Sequence, residues 1–277
     1  MKELFDRLSG QCSMITTQRY STSFSLGIKF LSPRIRPAIY GIYGFVRLAD
    51  EIVDSFHDFN KVNLLNQLRK ETFQAIEEGI SLNPLLNSFQ HVVNRYQIDH
   101  MLINAFLDSM EMDLEKKVFN KYLYEQYIFG SAEVVGLMCL QVFCNGDTDH
   151  YNKLKYSAMK LGSAFQKVNF LRDLRADAEE LGRMYFPEVN FSHFTDDAKE
   201  SIEAEIETEF REALEGIKRL PMSSRKGVYL AYIYYKVLFN KIRNTPAQQI
   251  KNTRIRVPDH QKVGLMFQCL IMPRYNG

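Results

Sequence analysis

The stretch Lys160–Pro187, KLGSAFQKVNFLRDLRADAEELGRMYFP, decides how the rest of the chain is interpreted. Four oxygen-bearing side chains occur in it at offsets of 0, 3, 7 and 11 residues, namely Gln166, Asn169, Asp173 and Asp177. On a helix that turns about 100° per residue, they lie within roughly 60–80° of one face. A solvated helix face rarely carries such a stripe beside Phe165, Val168 and Phe170. Because Mg²⁺ selects oxygen ligands, the stretch predicts a helix that carries a hard-cation site.

Composition limits the classes of protein that need to be considered. The chain has 277 residues, of which 45% are hydrophobic and 25% are charged, so it can build a sizeable core and is not disordered. The net charge of +2 gives no global case for binding nucleic acid, and we expect no such partner. Aromatic residues make up 13% of the chain. They either form core or line an apolar cavity, and composition alone favours core.

Cysteine usage and hydropathy predict the compartment. The four cysteines form no CxxC pair, and the N-terminal sequence MKELFDRLSG lacks the apolar core of a signal peptide. We therefore expect a cytoplasmic protein with reduced thiols. The most apolar segment, Val134–Cys144, is too short to span a bilayer, so we expect no integral anchor. Peripheral contact with the inner face of the membrane stays open.

The hydrophobic pattern predicts an all-α fold. Prolines mark boundaries, and the chain contains neither alternating strand-like runs nor a Gly, Ser or Pro-rich linker. We predict a single domain over residues 1–277, with a loop at 21–33. The predicted helices cover 3–19, 37–56, 61–79, 84–97, 99–118, 121–144, 149–178, 195–219, 223–243 and 259–271.

A second acidic stretch occurs in the helix that follows Pro37. Asp50 and Asp54 are one turn apart, and Tyr43 and Arg47 precede them on nearly the same face. A lone DxxxD pair is most often a surface helix with an Arg–Asp ion pair. Here the chain carries two such pairs, and burying four carboxylates without counter-ions costs several kcal/mol each. If the two helices face each other, divalent cations are the natural compensation.

Two carboxylate pairs that face each other suit diphosphate chemistry. Mg²⁺ binds through a few carboxylates together with substrate phosphates, and the guanidinium fork of arginine matches phosphate oxygens. Arg47 and Arg172 adjoin the two acidic pairs, and Arg183 follows the second. Such a site could ionise an allylic C–O bond, and aromatic side chains could shield the resulting cation from water. The six histidines show no paired spacing, so we expect no zinc site.

Several ordered motifs carry a family resemblance. They are STSFSLGIKFLSP at 21–33, YGIYGFVRLADEIVD at 40–54, YIFGSAEVVGLM at 127–138, and the opening stretch with its GRMYFP tail. From about Thr16 to Lys262 the chain resembles the squalene/phytoene synthase family of head-to-head prenyl transferases, and most of all its bacterial phytoene synthases. This resemblance implies an α-helical isoprenoid synthase bundle around a central active-site cavity.

The resemblance also implies roles for individual residues. Magnesium ligands would be Asp50, Asp54, Asn169, Asp173 and Asp177, with Gln166 completing the polar stripe and Mn²⁺ as a substitute metal. Diphosphate contacts would come from Ser21, Ser23, Arg47, Arg172, Tyr234 and Arg254. The reacting centre would be bordered by Tyr43, Tyr127 and Tyr185. The isoprenoid tunnel would be lined by Phe24, Ile28, Val134, Gly136 and Leu137, for which ordinary core is an equal alternative.

Two positions depart from the family's pattern. Glu133 stands where many relatives carry glycine, so we expect an altered pocket shape there. Glu51 occupies a position that is often Asp, although the outer pair of the DxxxD motif is intact.

The implied reaction is a 1′–1 condensation of two geranylgeranyl diphosphates. It would pass through a cyclopropylcarbinyl (prephytoene) diphosphate to phytoene, in carotenoid biosynthesis. Proton loss ends that route, so NADPH is not expected. A hydrophobic product argues for peripheral membrane contact during release, while the sequence leaves the oligomeric state open. The alternatives are a squalene or dehydrosqualene synthase acting on farnesyl diphosphate, a cyclising terpene synthase, and a noncatalytic assembly or binding protein on the same fold.

Overall fold

The chain folds into a bundle of helices, which confirms the all-α prediction. The computed structural model describes residues 1–115, 119–187, 189, 191, 194–258, 261 and 264. Within these residues the α-helices, in chain order, are α1 (Lys2–Tyr20), α2 (Thr22–Lys29), α3 (Arg36–Asp54), α4 (Lys61–Glu78), α5 (Pro84–Tyr96), α6 (His100–Met112), α7 (Lys121–Ile128), α8 (Val134–Cys144), α9 (Thr148–Glu179), α10 (Asp196–Arg219), α11 (Met222–Arg243) and α12 (Ala247–Ile250). A π-helical turn, Phe129–Glu133, joins α7 to α8.

Local sequence explains where many of these helices begin. The side chains of Asn60, Asn83 and Asn120 each accept a hydrogen bond from a backbone N–H in the first turn of α4, α5 and α7. Asp147 does the same for α9, whose 32 residues make it the longest helix of the described chain. Pro84 occupies the first position of α5, where its missing N–H costs nothing.

Two short helices were not predicted. Residues 21–33 were expected to form a loop, but Thr22–Lys29 is helical, with the Ser21 hydroxyl accepting from the Phe24 N–H at 3.2 Å. Eight residues containing a glycine are too short to be stable alone, so packing against α11 must supply the stability of α2. The four-residue α12 was missed for the same reason. The predicted helix at 99–118 ends at Met112, and most of the predicted helix at 259–271 lies outside the described residues.

The predicted continuous helix at 121–144 contains the π-helical turn, which inserts one residue into the helical register. This turn packs very closely on its neighbours. A Cβ added at Gly130 would lie 2.4 Å from the Ala105 carbonyl oxygen, and one at Gly162 would lie 2.6 Å from that of Ala132. These two glycines therefore let α6 and α9 approach the turn.

The core consists of two large apolar clusters. One joins residues of α3, α4, α5, α6 and α8, and includes Phe45 stacked on Phe89 at 4.0 Å between ring centroids. The other is centred on α9, α10 and α11 and also includes residues of α7. A cavity lies between them and is lined by α3 from the first cluster and α9 from the second.

The continuous helical segment Lys121–Cys144 is long and apolar enough, by length and composition alone, to cross a membrane. From the sequence, only the shorter segment 134–144 was compared with the length of a membrane span, and this longer apolar helix was therefore missed. Half of its apolar window is buried, and Val134, Leu137 and Met138 are completely enclosed by other helices. In this bundle the segment is a core helix.

Candidate active site

The cavity has a volume of about 1040 Å³. One end is charged and the other is apolar. It is lined by every residue predicted to bind metal, contact diphosphate or border the reacting centre, and by Phe24 of the predicted tunnel: Ser21, Ser23, Phe24, Tyr43, Arg47, Asp50, Asp54, Tyr127, Gln166, Asn169, Arg172, Asp173, Asp177, Tyr185, Tyr234 and Arg254. The structure therefore brings together side chains that are far apart in the sequence.

The two acidic pairs face the same space from α3 and α9. Burial raises the pKa of Asp50 to about 7, with Asp54 adding repulsion against the opposing pull of Arg47. Burial raises the pKa of Asp177 to about 8, and the negative charge of Asp173 adds to the effect. Carboxylates with such raised pKa values lack sufficient positive charge around them.

Arginines already neutralise the other member of each pair. Arg183 Nη1 donates to Asp54 Oδ1 at 2.7 Å. Arg254 Nε lies 2.7 Å from Asp173 Oδ1, and Arg172 also donates to the Asp173 carboxylate. One carboxylate of each pair thus has a tight ion pair with arginine, and its partner carries the raised pKa.

The donor set fits Mg²⁺ that is shared with diphosphate. Among the residues that the structure describes, no three His, Cys, Asp or Glu side chains are already spaced around one metal position. Mg²⁺ does not need such a protein cage, because it binds through one or two carboxylates plus water and substrate phosphate oxygens. Two half-compensated carboxylate pairs across a cavity supply that kind of incomplete site.

Phosphate-binding groups surround the charged end. Arg47 is held between Glu51, with which it forms an ion pair, and the ring of Tyr20, which lies 4.3 Å from its Cζ. Its Nε is buried without a hydrogen-bond partner, which leaves a donor for an anion. The N-terminal turn of α2 also lines the cavity, with Ser21 as its cap. Backbone N–H groups at a helix N-terminus attract phosphate.

Asp113, which follows α6, is a site residue that sequence reasoning missed. Its buried carboxylate accepts hydrogen bonds from Tyr127 at 2.7 Å and Tyr185 at 3.0 Å. Arg183 Nε lies 3.5 Å from it, and Arg183 Nη2 donates to its backbone carbonyl at 2.9 Å. Burial raises the pKa of Asp113 to about 6, opposed by Arg183. Asp113 is one of several acidic residues near the end of α6, with Asp108, Glu111 and Glu115, and no sequence pattern distinguishes it from them.

Tyr235 was missed as well, although its neighbour Tyr234 was predicted. The hydroxyl of Tyr235 donates to Asn169 Oδ1 at 3.2 Å, and its ring stacks on Phe165 at 3.9 Å between centroids. Asn169 therefore has its amide oxygen fixed by a buried tyrosine. Phe24 lies between Tyr235 and Tyr43, with ring centroids 6.1 and 5.9 Å away.

The deep end of the cavity is apolar and bordered by small side chains. Phe24, Ile28 and Gly136 line the cavity as predicted. Toward the N-terminal end of α9 it is enclosed by Cys139, Leu140, Phe143, Leu154, Ala158, Ala213, Gly216, Ile217 and Leu220.

For Val134 and Leu137 the alternative of ordinary core is the one observed, because both are fully buried and do not line the cavity. The π-helical turn changes the register of α8, so that Val135, Gly136 and Cys139 face the cavity instead. Glu133, at the position where many relatives carry glycine, does not line the cavity either. Burial raises its pKa to about 7, opposed by Lys160 on α9.

Comparison with known proteins agrees with the family resemblance of the sequence motifs. Residues 17–261 match the family model described as squalene/phytoene synthase. A chloroplastic phytoene synthase of an Oncidium hybrid cultivar is 27% identical over 263 residues, which cover 87% of this chain and 62% of that protein. A phytoene synthase of Arthrospira platensis is 26% identical over 278 residues, covering 91% and 89% of the two chains. This chain thus spans about three fifths of the length of the chloroplastic relative.

A solved structure shares the fold. The crystal structure of a dehydrosqualene synthase in complex with ligand superposes with a TM-score of 0.82, at 22% identity, over 96% of both chains. At this level of identity the match establishes the fold.

Proposed function

Because the chain belongs to the squalene/phytoene synthase family, we propose that it joins two allylic prenyl diphosphates head to head, with geranylgeranyl diphosphate as substrate and phytoene as product. The observation that carries the proposal is the division of one cavity into two chemical environments. Two aspartate pairs and five arginines surround one end, while apolar side chains enclose the other. An amphiphile with a diphosphate head and a long hydrocarbon tail matches both.

The charged end would bind and hold the diphosphate. Arg47 and Arg172 offer guanidinium groups, and Ser21 and Ser23 present the N-terminal turn of α2 to the phosphate oxygens. Arg254 bridges to Asp173 from the segment after α12, so a bound diphosphate would compete with that carboxylate for the same guanidinium. Binding of the diphosphate would thus release Asp173 from Arg254, and the carboxylate oxygens would become available to a metal ion.

Asp50, Asp54, Asp173 and Asp177 would hold Mg²⁺, with Asn169 and Gln166 beside the second pair. When bound, Mg²⁺ neutralises the charge that develops on a departing diphosphate. The raised pKa values of Asp50 and Asp177 support a demand for positive charge in this space.

The aromatic groups would protect the cationic carbon that ionisation leaves. Tyr43, Tyr127 and Tyr185 line the cavity, and burial raises the pKa of Tyr43 to about 12, so its hydroxyl stays neutral at physiological pH. Ring faces stabilise a carbocation without reacting as a charged nucleophile would. Water is excluded by the packed rings of Tyr127, Phe170 and Tyr185, whose nearest centroids are 4.2 and 4.8 Å apart.

The second half-reaction would use the same groups. The first condensation yields a cyclopropylcarbinyl diphosphate, whose own diphosphate must leave before the carbon skeleton rearranges to a linear hydrocarbon. Both ionisations would therefore occur beside the same aspartates and arginines. Loss of a proton ends the sequence, so the proposal requires no NADPH.

The length of the cavity supports a long substrate. On α9 the cavity extends from Asp173 back to Leu154, which is about 28 Å along a straight helix. Ala158, Ala213 and Gly216 keep the deep end wide. These dimensions support the C20 substrate.

Product analysis tests this proposal. Purified protein with Mg²⁺ would be given geranylgeranyl and farnesyl diphosphates separately and then together, and the hydrocarbons would be identified by mass spectrometry. We expect phytoene from the C20 substrate and a strong preference for it in competition. Squalene or dehydrosqualene as the main product would show that farnesyl diphosphate is the substrate. If neither prenyl diphosphate releases diphosphate, the proposed reaction class is contradicted.

A further inference from the structure

Charge is unevenly distributed along this chain. Residues 7–49 and 219–258 together carry 15 of the 35 Lys and Arg residues and none of the 33 Asp and Glu residues. Because the net charge is only +2, the rest of the chain is acidic. The two acid-free stretches include α2 and α11, so any surface that these two helices share is basic.

Helices α2 and α11 pack directly against each other. A Cβ added at Gly227 would lie 2.6 Å from the Gly27 carbonyl oxygen, so only glycine permits this approach. The Ser32 N–H donates to the Ser223 carbonyl at 2.7 Å and fixes the start of α11 beside the end of α2. The outer side of this pair, here called the α2–α11 face, comprises Leu26, Lys29, Phe30, Arg34, Met222, Lys226, Tyr229 and Ile233.

Leu26 and Phe30, the apolar residues that the face takes from α2 and its C-cap, belong to neither large core cluster. They surround Leu230 together with Tyr229 and Ile233, which also pack against the cluster of α9, α10 and α11, and all four are only partly buried. Lys226, Tyr229 and Ile233 follow at i, i+3 and i+7, which places them on one stripe of α11. Met222 begins the same helix and is 64% exposed. A partly exposed apolar ridge thus lies along the groove between the two helices.

Positive charges accompany this ridge. Lys29, Arg34 and Lys226 are all exposed. None of the three forms an ion pair with any residue that the structure describes, in contrast to Lys236 and Arg243 farther along α11, which both pair with Glu207. Three exposed cations without an ion pair, beside an apolar ridge, suit an anionic partner that also accepts hydrocarbon.

A lipid bilayer meets both requirements. Apolar side chains gain by burial at the boundary between headgroups and acyl chains, and basic side chains gain from anionic headgroups. A two-fold dimer through this face would place its cations opposite their own copies, which is unfavourable. We propose that the α2–α11 face docks on the surface of an anionic lipid bilayer.

Docking would place one wall of the cavity against the bilayer. The inner sides of the same helices line the cavity, through Phe24 and Ile28 of α2 and through Val228 and Ala231 of α11. A hydrocarbon product therefore has a single layer of helices between the cavity and the lipid. The role of docking in product release rests on the proposed function. The docking itself does not, because its test requires no catalytic turnover.

Vesicle flotation tests the docking. The full chain would be mixed with vesicles of phosphatidylcholine alone and of phosphatidylcholine with phosphatidylglycerol. We expect binding to the anionic vesicles, weakened by high salt. The double variant Lys29→Glu/Lys226→Glu should bind them at least about tenfold more weakly, because each basic residue near the surface contributes severalfold. Lys70→Glu/Lys121→Glu, on exposed positions of α4 and α7, carries the same charge change and should bind like wild type.

A second variant tests the apolar residues of the α2–α11 face. Ile233→Ser keeps the cations and should also weaken binding severalfold, with helical circular dichroism as the check on folding. Three results would overturn the proposal: no binding of wild-type protein to anionic vesicles, equal loss in the α4 and α7 control, or binding unaffected by both face variants. Concentration-dependent dimerisation abolished by the Lys29→Glu/Lys226→Glu change would assign the face to a second copy instead.

Discussion

The hydroxyl of Tyr127 donates a 2.7 Å hydrogen bond to Oδ2 of Asp113, and the two side chains are almost completely buried. The same carboxylate accepts from Tyr185 on its other oxygen and lies beside Arg183, which in turn binds Asp54. One buried group therefore links two tyrosines of the cavity to the first acidic pair. This arrangement makes Asp113 a positioning residue.

Asp113→Asn should lower turnover about 10- to 100-fold, because the weaker amide acceptor no longer fixes Tyr127, Tyr185 and Arg183 in place. We expect the loss mainly in kcat, since Asp113 lies behind the tyrosines. Steady-state kinetics and circular dichroism would measure it.

Asp108→Asn is the matched control for this change, because Asp108 lies five residues earlier on α6, is exposed and forms an ion pair with Arg69. It should leave turnover unchanged. A normal kcat in Asp113→Asn would show that the tyrosine positions do not depend on this carboxylate.

The contrast between Asp113 and the two aspartate pairs shows what could be predicted from this sequence. A repeated i, i+4 pair on apolar helices produces a pattern, and every metal-binding, diphosphate-contact and reacting-centre residue inferred from such patterns and from the family resemblance lines the cavity. Asp113 has no such pattern, and only the packing of α6 against the turn at 129–133 and the segment at Arg183–Tyr185 reveals its role.

The errors in the fold have a similar origin. Helix α2 depends on contact with α11 across Gly27 and Gly227, which local propensity does not encode. The family resemblance left Val134 and Leu137 open between cavity lining and core, and the helical register that follows the π-helical turn places both in the core. Long helices with clear caps were predicted well, whereas features that depend on helix–helix contact were not.

Asp50→Asn and Asp173→Asn should each reduce turnover by about 10²–10³-fold, because each removes an oxygen ligand and a negative charge from one side of the diphosphate site. The helical circular dichroism should not change. Asp197→Asn, at an exposed position in the first turn of α10, is the control with the same chemical change. Near-normal turnover in either site variant would contradict a site that uses both acidic pairs.

Chelation should abolish activity. We expect EDTA to stop turnover and added Mg²⁺ to restore it, with Mn²⁺ as a partial substitute, because the protein offers only incomplete carboxylate sites. Pyrophosphate should raise the melting temperature of the protein in the presence of Mg²⁺ and much less in its absence. Turnover in EDTA equal to that in Mg²⁺ would contradict the proposed ionisation.

The metal-free protein should lose stability as pH rises. The pKa of Asp177 is about 8 in the folded chain, far above the ordinary value of about 3.9, so the native state retains a proton that the unfolded chain has released. Between these values the native state binds more protons, and the free energy of unfolding therefore falls with increasing pH. Asp50, with a pKa of about 7, acts in the same direction.

Asp177→Asn removes this proton linkage. In EDTA we expect the variant to melt about 2–4 °C higher than wild type near pH 8.5, with a smaller gain near pH 5.5 and little difference near pH 4. Asp197→Asn should show no such pH-dependent gain. A variant that is less stable than wild type at the higher pH would show that Asp177 is compensated in the metal-free fold.

Ala158→Phe should shorten the substrate that the cavity accepts. Ala158 lines the deep end of the cavity, about 22 Å along α9 from Asp173, and its carbonyl oxygen would lie 3.0 Å from a Cβ added at Gly136 of α8. A phenyl ring at this position would occupy space needed by the end of a C20 chain and leave the charged end unchanged. We expect kcat/KM for geranylgeranyl diphosphate to fall about tenfold or more, while that for farnesyl diphosphate changes much less. Ala204→Phe, at an exposed position of α10, is the matched control and should alter neither value. Equal losses with both substrates would show that the deep end does not measure chain length, because a general disturbance of packing would affect both alike.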